Sequence, residues 1–267
     1  MLKKSGAYVS ETGHNHNGDD HDHGAAQTAP PGAPSPLLVE IREHLPFSVT
    51  AVALGLITAG AICVLGSTFA DALPAEGLPG HKGHADHIHG PEFAQLFFHL
   101  FHPAHMFFSA VATTAMFCRY DRSTVKALVV GIIGAVGVCG VSDVIMPHVS
   151  LMILGIKTPW HICVIEHPSM VLPFAGIGVV VGIAASGGVI RSTLISHSLH
   201  VLASSMASIF YMIGPLGMVA WIDRVGQMFL FVVFAVMVPC CLSDIVFPLL
   251  MTKPGRAKYA QEPHACH

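Results

Sequence analysis

LFFHLFHPAHMFFSAVATTAMF, residues 96–117, resembles a second stretch farther along the chain. The second stretch is TLISHSLHVLASSMASIFYMIG, residues 193–214. Both stretches are long and apolar, and both contain the same polar pattern. Each has a His-x-x-His pair, His102 with His105 and His197 with His200. Serine or threonine follows the second histidine of each pair at matching offsets. Two neighbouring histidines on one helix face, repeated in a second apolar stretch, indicate an internal duplication.

The repeat extends to both sides of these stretches. Each copy also has a Glu-His pair before it and a Ser-Asp pair with a proline after it: Glu43-His44, Ser142-Asp143 and Pro147 in the first copy, Glu166-His167, Ser243-Asp244 and Pro248 in the second. The sequence therefore predicts tandem duplication of a three-helix unit.

Composition places the chain in a membrane. Hydrophobic residues make up 52% of it and charged residues only 11%, whereas soluble domains have about a quarter charged residues. A membrane-spanning helix needs about 20 apolar residues. We predict an all-α polytopic membrane protein with six transmembrane helices, near residues 47–65, 96–117, 125–147, 166–185, 193–214 and 227–251. With only 13 Lys and Arg and no basic patch, nucleic acid is excluded as a partner, and homo-oligomerisation is left open.

The distribution of Lys and Arg predicts the orientation. With six crossings, one side receives Lys3, Lys4, Arg42, Arg119, Arg122, Lys126, Arg191, Lys253, Arg256 and Lys258, and the other only Lys82, Lys157 and Arg224. The positive-inside rule puts both termini in the cytoplasm, and we expect a bacterial or archaeal inner or plasma membrane. The predicted domains are a disordered His/Asp-rich tail (1–36), a first repeat (37–150) with a histidine-rich external loop (67–92), a second repeat (151–252) and a short C-terminal tail (253–267).

An odd number of crossings in each copy inverts the second copy relative to the first. Inverted-topology repeats are a recurrent construction of secondary transporters. The place of each repeated polar residue along its predicted helix gives its depth in the membrane. By depth, these residues fall into an outer layer and an inner layer. We predict an outer metal site of His102, His105, Asp143, Glu166 and His167, and an inner site of Glu43, His44, His197, His200 and Asp244.

Simpler interpretations stand beside the metal sites. The two Glu-His pairs could be solvated helix caps at the membrane boundary. Asp143 and Asp244 could hold a histidine in place instead of binding metal. We interpret the seven cysteines mainly as small hydrophobic residues rather than disulfides. Cys139 and Cys240 occupy matching positions three residues before each Ser-Asp pair, which points to the surroundings of a site.

Imidazole and carboxylate together favour a divalent transition metal, Zn²⁺ or Fe²⁺ first. The leading hypothesis is a transporter of such ions, linked to protons because the ligands must be deprotonated to bind. Histidine runs predicted on both membrane faces leave the direction open. The alternatives are a membrane metalloenzyme of hydrolase or hydroxylase type, and a haem b electron carrier. The chain resembles zinc and iron permeases in general character, but it lacks their H-N-x-x-E-G and H-E-x-P-H-E signatures.

Overall fold

The computed structural model describes residues 36–72, 90–121, 123–138, 140–160, 162–186, 191–217, 219–241 and 247–252. All regular structure in these ranges is helical. The α-helices are α1 (Pro36–Ala72), α2 (Gly90–Tyr120), α3 (Thr124–Ile133), α4 (Met146–Ile153), α5 (Cys163–Glu166), α6 (Pro168–Ala185), α7 (Arg191–Leu216), α8 (Val225–Cys241) and α9 (Phe247–Leu250). Most of the predicted N-terminal tail, histidine-rich loop and C-terminal tail lies outside the described residues.

Five described segments are long and apolar enough to cross a membrane: Leu45–Gly66, Thr124–Ile153, Pro168–Ala185, Ser198–Leu216 and Ala220–Cys240. Large apolar side chains on them, such as Ile57 and Leu230, are about 70% exposed, as expected of surfaces that face lipid. The all-helical class is therefore confirmed, with five of the six predicted spans, and these helices are consistent with an integral membrane protein. The sixth span and the inverted repeat stay predictions. Helix α2 has 31 residues but is not among the five, because histidine and hydroxyl side chains lower its hydropathy.

Helices α2 and α7, which contain the two predicted His-x-x-His pairs, pack against each other. Helix α2 also packs against α6, and α7 also packs against α1 and α8. Aromatic rings fill the α2–α7 interface near one end: the ring centroid of Phe210 lies 4.9 Å from that of Phe97 and 6.1 Å from that of Phe101. This contact brings the polar residues of α2 and α7 to one interface.

Glycine allows α6 to approach α2 closely. A Cβ atom at Gly182 would lie 2.8 Å from the carbonyl oxygen of Val111, and one at Gly178 would collide with the carbonyl oxygen of Phe107. The two glycines are four residues apart, the small-xxx-small spacing that lets membrane helices pack backbone to backbone. Gly55 of α1 has a similar role against α7, where a Cβ would meet Ile209 at 3.0 Å.

Two π-helical segments, Gly134–Val138 and Val141–Ile145, interrupt the helix between α3 and α4. Pro147 has no N–H with which to continue the π pattern to the carbonyl five residues earlier, that of Ser142. The hydroxyl of Ser208 from α7 donates to this carbonyl oxygen at 3.1 Å. Pro147 lies in the first turn of α4, where a missing N–H is tolerated, and α4 continues past it to Ile153.

Candidate metal centre

Asp143, in the second π-helical segment, is the centre of a buried polar cluster. Its Oδ2 lies 2.9 Å from Nδ1 of His102 and 2.6 Å from Nδ1 of His105. Its Oδ1 accepts hydrogen bonds from the hydroxyls of Ser142, at 2.9 Å, and Ser204, at 3.0 Å. All four partners are at most 2% exposed. A carboxylate removed from solvent is thus fully supplied with hydrogen-bond partners, as burial of a charge requires.

The histidine pair of α2 owes this arrangement to its spacing. His102 and His105 are three residues apart, so both rings project from one helix face and reach the same carboxylate oxygen. An ionised carboxylate can only accept, so the network assigns the Nδ1 proton to each ring. The ring nitrogen left for a metal ion is then Nε2.

His105 also contacts α7. Its ring centroid lies 4.6 Å from that of His200, and the two planes are inclined by 54°. Cys240 of α8, a reduced thiol, completes the group: one ligand atom each from His105, His200 and Cys240 lie within 4.8 Å of one another. The Cys240 thiol is also 3.8 Å from the hydroxyl of Ser204, to which it donates.

These three side chains have the composition and spacing to hold a metal ion, and all three are buried. Imidazole nitrogen and thiolate sulfur are the usual ligands of Zn²⁺. A histidine ligand usually donates its other ring N–H to a carboxylate, which fixes its tautomer and makes it a better ligand. Asp143 has that position relative to His105. We refer to His102, His105, Asp143, His200, Ser204 and Cys240 below as the central cluster.

The predicted outer set is only partly assembled in the central cluster. His102, His105 and Asp143 converge. Glu166 and His167 are exposed and lie at the junction of α5 and α6, where Glu166 Oε1 accepts a hydrogen bond from the N–H of Ile162 at 3.2 Å.

Of the predicted inner set, His200 is the member whose side chain the structure describes. Glu43 and His44 lie on α1 and His197 lies on α7, but their side chains fall outside the described residues. Asp244 falls outside the described residues altogether.

The structure differs from the predicted layering at one point. His105 was assigned to the outer layer and His200 to the inner layer, yet their rings are neighbours. The physical reason is depth: His105 is the middle residue of α2, with fifteen residues on either side of it, and His200 is ten residues into α7. Residues from the two layers therefore meet where the helices cross.

The two predicted metal sites did not include Cys240, Ser142 or Ser204. The signal was present, since each residue has a counterpart at the same position in the other copy: Cys139, Ser243 and Ser109. The cysteines also differ from expectation in one case, because Cys118 is disulfide-bonded.

The geometry argues against one form of the haem alternative. Haem b with two axial histidines needs a porphyrin between the rings, and centroids 4.6 Å apart leave no room for it between His105 and His200. The haem alternative as predicted, with His102 or His105 facing a histidine of the fourth segment, is not tested by this pair. Comparison with protein-family models, with curated proteins and with solved structures gave no match.

Proposed function

We propose that this protein transports divalent transition-metal ions across a membrane, with the central cluster as the site through which the ion passes. One observation carries the proposal. His105 and His200 occupy equivalent positions in the two copies of the repeat, and the structure brings them together with Cys240 within ligand distance. Transporters built from two repeats bind their substrate at the repeat interface near the bilayer midplane.

Helix pairing supports an inverted repeat with α2 as a sixth crossing. In the first copy the histidine helix α2 packs against α6, the first helix of the second copy. In the second copy the histidine helix α7 packs against α1, the first helix of the first copy. Any two-fold axis that relates the repeats would exchange these two contacts, and three crossings in each repeat would place that axis in the membrane plane. Six crossings and the distribution of Lys and Arg then put both termini in the cytoplasm.

Among divalent transition-metal ions, the side chains of the central cluster favour Zn²⁺. Two imidazoles and one thiol suit Zn²⁺ better than ions that prefer oxygen, such as Mn²⁺ or Mg²⁺. Fe²⁺ and Co²⁺ remain within the proposed range. Because a thiol must lose its proton to bind metal, we expect the ion to displace protons and transport to be proton-coupled.

Radioactive zinc uptake into proteoliposomes tests the proposal. We expect the wild type to accumulate zinc above protein-free liposomes, and His105→Ala and His200→Ala to lose that accumulation. The matched control is His148→Gln. His148 is also buried, but its Nδ1 lies beside the hydroxyls of Tyr211, at 3.2 Å, and Thr158, at 3.1 Å, outside the central cluster.

Equal uptake by the wild type and both alanine variants would contradict the proposal. Tightly retained metal together with zero uptake by the wild type would favour a resident metal centre, and thus the metalloenzyme alternative.

A further inference from the structure

We infer that His99 and His167 form a second transition-metal site at the end of the bundle where α2 begins, and that this site receives ions destined for the central cluster. The inference rests on the proposed function, since it takes the ligand to be the same metal ion. His167 was predicted to belong to a site with His102 and His105, whereas the structure places it beside His99.

The geometry of the pair suits a shared ion. The ring centroids of His99 and His167 are 5.8 Å apart and the planes are inclined by 79°. Imidazole nitrogen binds Zn²⁺ at about 2.0–2.1 Å, and rings at this separation can place one nitrogen each on a common ion. The two residues come from different elements, α2 and the α5–α6 junction, so only the fold brings them together.

Exposure falls steadily along this side of the bundle. His167 is exposed and His99 is half-buried, whereas His102 is 2% exposed and His105 is fully buried. His99, His102 and His105 follow one another at intervals of three residues along α2, so they lie on one side of the helix. Four imidazoles therefore form a graded series from the exposed surface of the protein to the central cluster.

Phe98 marks the boundary between the two sites. Its ring stacks on His102, with centroids 5.1 Å apart and planes inclined by 14°, and its centroid lies 5.5 Å from that of His99. The edge of Tyr211 contacts Phe98 from α7, with centroids 5.4 Å apart. Apolar rings between polar sites make the His99–His167 pair a separate binding position rather than an extension of the central cluster.

Nearby groups define the ligand chemistry of this second site. Glu166, next to His167, provides negative charge that attracts a cation. Burial, with contributions from Glu166 and Asp143, raises the pKa of the Cys163 thiol to about 12. Without a metal ion, Cys163 is therefore a protonated thiol near neutral pH. With imidazole as its main donor and open access to solvent, the site suits weak binding and fast release.

Histidine modification tests the site residue by residue. The full-length protein in detergent is treated with diethyl pyrocarbonate, with and without Zn²⁺, and modification of each histidine is quantified by mass spectrometry of its peptide. In the wild type we expect Zn²⁺ to protect both His99 and His167. In His99→Ala the protection of His167 is lost, and in His167→Ala the protection of His99 is lost. The control variant His148→Gln retains both.

Protection of His167 that persists in His99→Ala, or failure of Zn²⁺ to protect either residue in the wild type, would overturn the inference. Because His167 is exposed, His167→Ala keeps the test valid even if His99→Ala fails to fold. The result is also independent of transport. Mutual protection without zinc uptake would refute the proposed function but support the His99–His167 site. Zinc uptake without mutual protection would support the proposed function but refute the site.

Discussion

Asp143 Oδ2 lies 2.6 Å from Nδ1 of His105, and neither side chain is exposed. This contact joins the second π-helical segment, which precedes α4, to the midpoint of α2. It leaves Nε2 of His105 as the nitrogen available to a metal ion. A carboxylate so placed acts on metal binding through the histidine, as expected of a partner outside the ligand set.

Asp143→Asn is therefore expected to weaken metal binding without abolishing it. The amide keeps the shape of the side chain but removes the negative charge that both histidines contact. Loss of such a carboxylate partner typically costs about 10- to 100-fold in metal affinity. Competitive titration of the purified protein with Zn²⁺ measures this. An unchanged dissociation constant would show that Asp143 has no part in the site.

Cys240→Ser is expected to remove thiolate ligation specifically. Co²⁺ bound to the wild type should show a thiolate-to-metal charge-transfer absorption band, and this band should vanish in the variant. Affinity for the soft ion Cd²⁺ should fall more than affinity for Mn²⁺. The matched control is Cys63→Ser, which alters another buried thiol, 4% exposed, and should retain the band. A band that survives in Cys240→Ser would exclude this cysteine as a ligand.

Ser204→Ala is expected to destabilise the protein more than the adjacent Ser205→Ala. The Ser204 hydroxyl donates to the Asp143 carboxylate at 3.0 Å, and a hydrogen bond to a charged group contributes about 1.5–3 kcal/mol. The Ser205 hydroxyl only bonds back to the Val201 carbonyl oxygen of its own helix, at 2.8 Å, so its loss costs little. Reversible unfolding in detergent measures both, and equal losses would contradict the assignment of an ionised, hydrogen-bonded Asp143.

Gly178→Ala is expected to separate α6 from α2. The added methyl would meet the carbonyl oxygen of Phe107 and lie 2.8 Å from the Cβ of Ala110, and overpacking of this kind costs about 1–3 kcal/mol. Gly176→Ala in the same helix is the control, because nothing lies within 4 Å of a Cβ there. Thermal unfolding of both variants checks the contrast. A Gly178→Ala variant as stable as Gly176→Ala would mean that the two helices do not pack this closely.

Much of the fold could be predicted from the sequence, because lipid imposes simple rules on length and polarity. Each of five predicted segments overlaps a described segment long and apolar enough to cross a membrane: those near 47–65, 125–147, 166–185, 193–214 and 227–251. The pairing of His102 and His105 on one helix face also followed from spacing alone. Convergence of Asp143 on that pair was part of the predicted outer site.

The remaining features of the site depend on how helices rotate and cross. Nothing in the local sequence of α8 says that Cys240 faces His105, since that requires three helices at fixed angles. The π-helical segments change the direction in which Ser142 and Asp143 project, and no spacing rule for regular helices anticipates them. Counting residues from the predicted helix ends likewise assigned His105 and His200 to different layers. In the structure the two rings are neighbours because α2 and α7 cross at this point.

X-ray absorption spectroscopy at the zinc edge shows whether His105, His200 and Cys240 hold one ion. The full-length protein is loaded with less than one equivalent of Zn²⁺, so that the tightest site fills first. We expect one sulfur ligand at about 2.3 Å together with imidazole nitrogens at about 2.0–2.1 Å, and loss of the sulfur in Cys240→Ser. A shell of nitrogen and oxygen alone in the wild type would contradict this expectation.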